Sequence, residues 1–283
     1  MIADTNVYLS RWPFRRLEGD EPRDLVAKLR KRNVVQAWAG SFDGMLHRDI
    51  ASVNIRLAQA CRAYGQGVLI PFGSINPKLP DWQDDVRRCQ EEHKMPGIRL
   101  HPNYHGYNLD DPVFAELLKL ATARRLIVQL ALCMEDVRTQ PPLLRVPPVD
   151  IAPLAEVVTN TPGLRLELVN CTSIISKEHY RAALSAGDVY LEISMVEGIA
   201  GVGRLVHEIP LPRVLFGSYY PFFYFESALL KVQESGLDEA SQKALCEDNA
   251  RQLMGPAASG SFFRVSPARP AETTTSQMRG SAP

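Results

Sequence analysis

The chain is poor in the features that mark several function classes. Its 283 residues include only five cysteines, Cys61, Cys89, Cys133, Cys171 and Cys246. The number is odd, the spacing wide and no C-x-x-C pair occurs, so neither a disulfide framework nor a zinc or dithiol motif is readable. A reducing, cytoplasmic setting suits such a chain best. No stretch approaches the roughly eighteen consecutive apolar residues of a membrane span. The opening MIADTNVYLS also lacks a basic and then apolar leader pattern, so the expectation is a protein that is neither exported nor membrane-bound. Charge of one sign is missing too: Lys plus Arg and Asp plus Glu are 32 each. Such a chain has no overall field to concentrate nucleic acid or an anionic membrane.

What is present suits a soluble α/β protein. Hydrophobic residues make up 45% and charged residues 23%, enough apolar material for a sizeable core. Short Val-, Ile- and Leu-rich runs recur: IADTNVY (2–8), VVQAWAG (34–40), GVLIPF (67–72), GIRLH (97–101), LIVQLAL (126–132), LRLELVN (164–170), VYLEIS (189–194) and VLFGS (214–218). Between them lie helical patterns such as PRDLVAKLRKR, DIASVNIRLAQACRAY, DWQDDVRRCQEEH and DPVFAELLKLATARR. Several of these open on an aspartate (Asp49, Asp81, Asp111), a residue that caps free helix amides, while the basic Arg30-Lys31-Arg32 falls where a helix should end.

Eight strands with intervening helices predict a single closed (β/α)8 TIM barrel over residues 1–255. An open doubly wound sheet gives similar local signals, but no G-x-G-x-x-G follows the first strand. The segment TQPPLLRVPPVD carries four prolines and predicts a long loop above the fifth strand. The Pro-, Ser- and Thr-rich residues 256–283 predict a disordered tail.

Reacting groups in such barrels sit at the C-terminal ends of the strands. The polar residues there are Asn6 and Tyr8 on strand one, Arg99 and His101 on strand four, Gln129 on strand five, Asn170 on strand six, Glu192 and Ser194 on strand seven, and Ser218 and Tyr219 on strand eight. Residues two apart on a strand share a face, so Asn6 with Tyr8, Arg99 with His101, and Glu192 with Ser194 should point together toward the axis.

At these positions the chain resembles the amidohydrolase-related family. DTNVYL is similar to that family's D-x-H-x-H-L opening, GIRLHP followed by DDPVF to its fourth strand and loop, PGLRLELVN to its sixth, LFGSYYP to its L-F-G-S-D-Y-P, and EDNARQLM to its terminal helix. The resemblance spans roughly residues 2–254. It implies a distorted (β/α)8 barrel and metal-assisted hydrolysis or decarboxylation of small carboxylated or cyclic substrates.

The departures from the family pattern matter more. Asn6 and Tyr8 stand where the resemblance implies two histidine ligands, Ala131 and Asn170 where it implies two more, and Tyr219 where it implies an aspartate that also serves as general base. A zinc or manganese site needs about three or four imidazole, thiolate or carboxylate donors. Amides and neutral phenols are poor replacements. His105, in HPNYH, offers a second imidazole beside His101, with no carboxylate near it in sequence. The expectation is therefore that no metal or other cofactor is held.

Catalysis without metal would rest on His101 as a base with a pKa near neutrality, Arg99 polarising a substrate carboxylate, and Glu192 as the other base. Asn6, Tyr8, Gln129, Asn170, Ser194 and Tyr219 would then bind substrate. Each has a bland counterpart: Arg99 and Glu192 as a buried ion pair, His101 as a hydrogen-bonded structural residue, Cys133 and Cys171 as inert buried thiols rather than nucleophiles beside His101, and the aromatic run YYPFFYF (219–225) as packing rather than a pocket wall. Two functions follow, beside a third reading, a conventional metalloenzyme whose ligands lie at other positions. One is a metal-independent hydrolase, lactonase or decarboxylase. The other is a non-catalytic barrel that binds a small ligand. A small molecule is the expected partner, and a homo-oligomer is compatible with either.

Overall fold

The eight apolar runs become eight parallel strands in a computed structural model that describes residues 1–136, 138–171 and 176–255. They are β1 (Ile2–Leu9), β2 (Val34–Ser41), β3 (Leu69–Ser74), β4 (Gly97–Leu100), β5 (Ile127–Ala131), β6 (Arg165–Val169), β7 (Asp188–Glu192) and β8 (Val214–Leu215). They pair in chain order, β1 to β8. Backbone bonds from Thr5 N to Phe216 O (2.9 Å), Tyr219 N to Asn6 O (2.8 Å) and Tyr8 N to Tyr220 O (3.0 Å) join the last strand back to the first. The fold is a single-domain (β/α)8 barrel, so the doubly wound alternative falls. The regular part of β8 is only two residues, and just beyond it Tyr219 takes φ 58°, costly for a non-glycine residue.

Helices α1 (Pro22–Lys31), α2 (Ile50–Tyr64), α3 (Trp82–Glu91), the single turn α4 (Pro102–His105), α5 (Pro112–Ala123), α6 (Leu154–Thr159), α7 (Lys177–Ala186), α8 (Gly201–Glu208), α9 (Phe225–Gln233), α10 (Glu239–Lys243) and α11 (Asn249–Met254) fill the connections. The aspartate caps divide. Asp49 accepts from Ser52 N at 3.0 Å and caps α2. Asp81 lies in the left-handed region without a cap bond, and Asp111 gives its carboxylate to Asn108 N and Lys78 Nζ instead. A competing side-chain partner overrides the local preference there.

Outward-facing strand residues such as Ile98, Leu100, Val128, Leu130, Leu166 and Leu168 pack with Leu25, Leu57, Val86, Leu117 and Ala183 of the helices. Each such buried side chain contributes roughly 1.5–3 kcal/mol. Inward-facing Ala3, Trp38, Ile70, Phe72, Ile127, Tyr190 and Leu215 fill the lower barrel against Ala250, Leu253 and Met254 of α11, which closes that end. The proline-rich stretch is the expected long connection from β5 to α6, braced where Gln140 exchanges two hydrogen bonds with Val146 (2.8 and 2.9 Å). The expected disordered tail, residues 256–283, lies outside the described residues.

Candidate functional site

Alternation along each strand carries the polar strand ends into the barrel, where register decides their partners. Arg99 stands beside Gln129, and Gln129 beside Glu167, on adjacent strands. Arg99 Nε donates to Gln129 Oε1 (2.8 Å) and Gln129 Nε2 to Glu167 Oε2 (2.7 Å). The other Arg99 nitrogens donate to the carbonyls of Val7 (2.9 Å), Thr5 (3.1 Å) and Trp38 (3.0 Å). The guanidinium carbon lies 4.4 Å from the centre of the Tyr8 ring, and Gly40 is required opposite because a Cβ there would meet Arg99 Nη1 at 2.8 Å. Arg99 thus stitches β1, β2, β4 and β5 together. The ion pair with Glu192, weighed as the alternative to a catalytic role, is not among these contacts.

Glu192 is a second hub. Its carboxylate accepts from Asn170 N (2.7 Å), Asn6 Nδ2 (3.2 Å), Ser194 Oγ (2.8 Å) and Ser194 N. Gly217 packs against it without room for a Cβ. Asn6 also donates to Asn170 Oδ1 at 2.7 Å, and Asn170 Nδ2 to Cys133 O at 2.9 Å. His101 Nε2 and Tyr8 OH lie 3.0 Å apart, and His101 Nδ1 has no hydrogen-bond partner. Burial, with the charges of His105 and Arg99 adding to it, pushes the His101 pKa well below its usual 6.5. The near-neutral pKa expected from the sequence is corrected by that burial.

The predicted residues do converge, but a cover lies over them. Tyr219 OH donates to Met134 O at 2.6 Å. Tyr8 stacks on Phe42 with ring centres 4.6 Å apart, and Trp12, Met45, Met134, Met195 and Tyr219 complete an apolar layer. Beside that layer opens a cavity of about 760 Å³, walled by the loops after β5, β7 and β8. Of the nine residues expected to bind or react, only Ser194 lines it; His101, Arg99, Glu192, Asn6, Tyr8, Gln129, Asn170 and Tyr219 lie elsewhere. Phe222 and Phe223, from the aromatic run, form its wall, while Phe225 packs into the core.

Residues that sequence reasoning passed over hold much of the remaining chemistry. Arg15, Glu135 and Lys231 line the cavity but sit on loops and on α9, where strand alternation makes no statement. Asp4 and Glu167 lay within quoted motifs. Asp4 accepts from Asn6 N (3.1 Å), Ser218 N (3.0 Å) and the Ser218 hydroxyl, and burial raises its pKa to about 7. Glu167 keeps one carboxylate oxygen without a partner, and burial raises its pKa to about 8. Burial disfavours both thiolates, lifting Cys133 to about 12 and Cys171 well above its usual value. Neither thiol hydrogen-bonds His101 among the described residues; Cys133 donates to Asn170 O and Cys171 to Leu168 O.

The two raised carboxyls set a pH dependence. Their protonated forms are favoured in the folded chain, so their stabilising share is complete below the unfolded pKa near 4 and is lost as pH rises through about 7 for Asp4 and about 8 for Glu167. Glu167→Gln keeps a neutral side chain at every pH. It should raise the melting temperature at pH 8 by about 4 °C and change it little at pH 5. Parallel pH profiles for the variant and the parent would refute the assignment.

A family model described as amidohydrolase matches residues 7–255. The chain belongs to the amidohydrolase family. Solved structures agree on the fold at low identity. The manganese complex of 5-carboxyvanillate decarboxylase from Novosphingobium aromaticivorans aligns with TM-score 0.65 and 14% identity over 89% of this chain and 95% of that one. A probable 2-pyrone-4,6-dicarboxylic acid hydrolase from Acinetobacter baumannii, with citric acid bound, aligns at 0.64 and 15% over 90% and 99%. A manganese-bound dihydroxybenzoic acid decarboxylase from Polaromonas sp. JS666 aligns at 0.64 and 12% over 90% and 97%. No curated protein sequence matches the chain significantly.

The donor set at the barrel axis does not suit the manganese that two of these relatives carry. Asn6, Asn170, Tyr8 and Tyr219 bring amides and phenols, His101 Nε2 already faces Tyr8, and the carboxylate that reaches Asn6 and Asn170, that of Glu192, is held by four hydrogen-bond donors. No group of three or more His, Cys, Asp or Glu side chains is placed to hold a metal ion among the described residues. Among those residues, too, no helix is long and apolar enough to cross a membrane.

Proposed function

We propose that this amidohydrolase-family barrel works without a metal ion as a small-molecule-binding protein, in which the polar axis holds the fold and the lateral cavity holds the ligand. The observation that carries this reading is the separation of the two. The axis residues spend their hydrogen bonds on one another beneath Tyr219 and Met134, whereas the cavity beside them offers Phe222, Phe223, Met195 and Val196 with scattered polar groups. Concave, largely apolar walls with a few convergent polar groups are the usual form of a small-ligand site. The case against a metal rests on donor chemistry: a divalent transition ion needs about three or four imidazole, thiolate or carboxylate donors, and the axis offers the imidazole of His101 and the carboxylate of Glu192, already held by four donors, beside neutral amides and phenols that bind such ions poorly.

A metal-independent hydrolase or decarboxylase using His101, Arg99 and Glu192 is the second reading, favoured by one observation: His101 Nδ1 is buried and unpaired. It requires the Tyr219–Met134 cover to open. Thermal-shift screening of chelator-treated protein against small ring compounds separates the readings. The first expects a rise of several degrees with no product. Turnover that survives the chelator and is lost in His101→Ala would favour the second, and metal-dependent turnover would defeat both.

A further inference from the structure

We infer that the cavity selects an amphipathic ligand with an apolar ring and a cationic or neutral head, and discriminates against carboxylates; this rests on the cavity being the binding site. The charge on its wall is the reason. Arg15 and Lys231 are its cations, and Glu135, Asp136, Glu197 and Glu234 its anions, so two positive charges face four negative ones.

Neither cation is free to receive an anion. Arg15 Nη1 pairs with Glu135 Oε2 at 2.9 Å, and its guanidinium lies over the Phe222 ring at 4.9 Å. Lys231 donates to the Ser194 carbonyl, and the charges of Glu192, Glu197 and Glu234 all reach it. Glu135 is the deep anion: its side chain is 2% exposed, against 44% for Arg15. Asp136 is tied to Arg138, whose side chain is 89% exposed. Glu197 and Glu234 stand exposed at the rim with no ion-pair partner among the described residues.

A carboxylate entering this space adds a fifth negative charge where the wall already carries an excess, in a setting less screened than bulk water. An ammonium or hydroxyl head meets the exposed carboxylates of Glu197 and Glu234, while the ring rests on Phe222, Phe223, Met195 and Val196.

The test is calorimetric titration at pH 7.5 and low salt with three probes sharing one body: 3-phenylpropylamine, 3-phenylpropanol and 3-phenylpropanoate. The amine should bind at least tenfold more tightly than the carboxylate, with the alcohol between them, and added salt should narrow the gap. Glu135→Gln should lower the amine preference severalfold. Because Glu135 is buried, the exposed double variant Glu197→Gln/Glu234→Gln provides a second arm with the same expected direction. Tighter carboxylate binding, or an amine preference unchanged in both variants, overturns the charge inference while leaving the cavity as a site. Binding of none of the three overturns the cavity itself, and the inference with it.

Discussion

Arg99→Ala is expected to abolish the folded state. The guanidinium is fully buried and donates to three backbone carbonyls and to Gln129 Oε1, so truncation removes four hydrogen bonds inside the barrel, leaves Thr5 O with only its bond from Gln129 Nε2, and removes the ring contact with Tyr8. An unsatisfied buried polar group costs about 1–3 kcal/mol, so the sum rivals the whole stability of a typical domain. Arg99→Lys retains the charge but not the planar fork, and should fold with a loss of about 3–5 kcal/mol. Urea denaturation followed by circular dichroism measures both. A soluble, cooperatively unfolding Arg99→Ala protein with near-parental stability would show that the carbonyl bonds contribute little, and would return Arg99 to candidacy for catalysis.

Glu192 should be nearly as sensitive, for the opposite reason. Its carboxylate is surrounded by donors only: two backbone amides, the Ser194 hydroxyl and the Asn6 amide. Glu192→Gln is isosteric, yet it must turn its amide nitrogen against at least one of those N–H groups. A loss of about 2–4 kcal/mol is expected, with Glu192→Ala worse. A general base would behave differently: Glu192→Gln would spare stability and remove only turnover. Chemical denaturation alongside ligand titration distinguishes the two, because a structural hub moves the first measurement and a catalytic base does not.

Both predictions rest on positions that local pattern placed correctly and could not interpret. Alternation put Arg99 with His101, and Glu192 with Ser194, on inward faces, and each of those side chains is buried there. What those faces meet depends on the register between strands far apart in sequence. Arg99 reaches the carbonyls of Thr5 and Val7 through a register irregularity between Asp4 and Val7 in β1 that no motif announces. The cover is equally non-local, since Tyr219 and Met134 are 85 residues apart. The cap expected at Asp111 fails in the same way: it has a helix to cap, but Lys78, from another connection, takes the carboxylate.

The amino-acid sequence by itself determined the strand count, the barrel, the long proline-rich connection and the family, because periodicity, turn chemistry and motif order are local properties summed along the chain. Only the tertiary structure decided which groups the polar strand ends hydrogen-bond, and that the open cavity takes Ser194 but none of the other eight residues into its wall. The physical reason is that a hydrogen bond or a burial shift belongs to a pair of groups and their surroundings, and those pairs exist only once the eight strands have closed on each other.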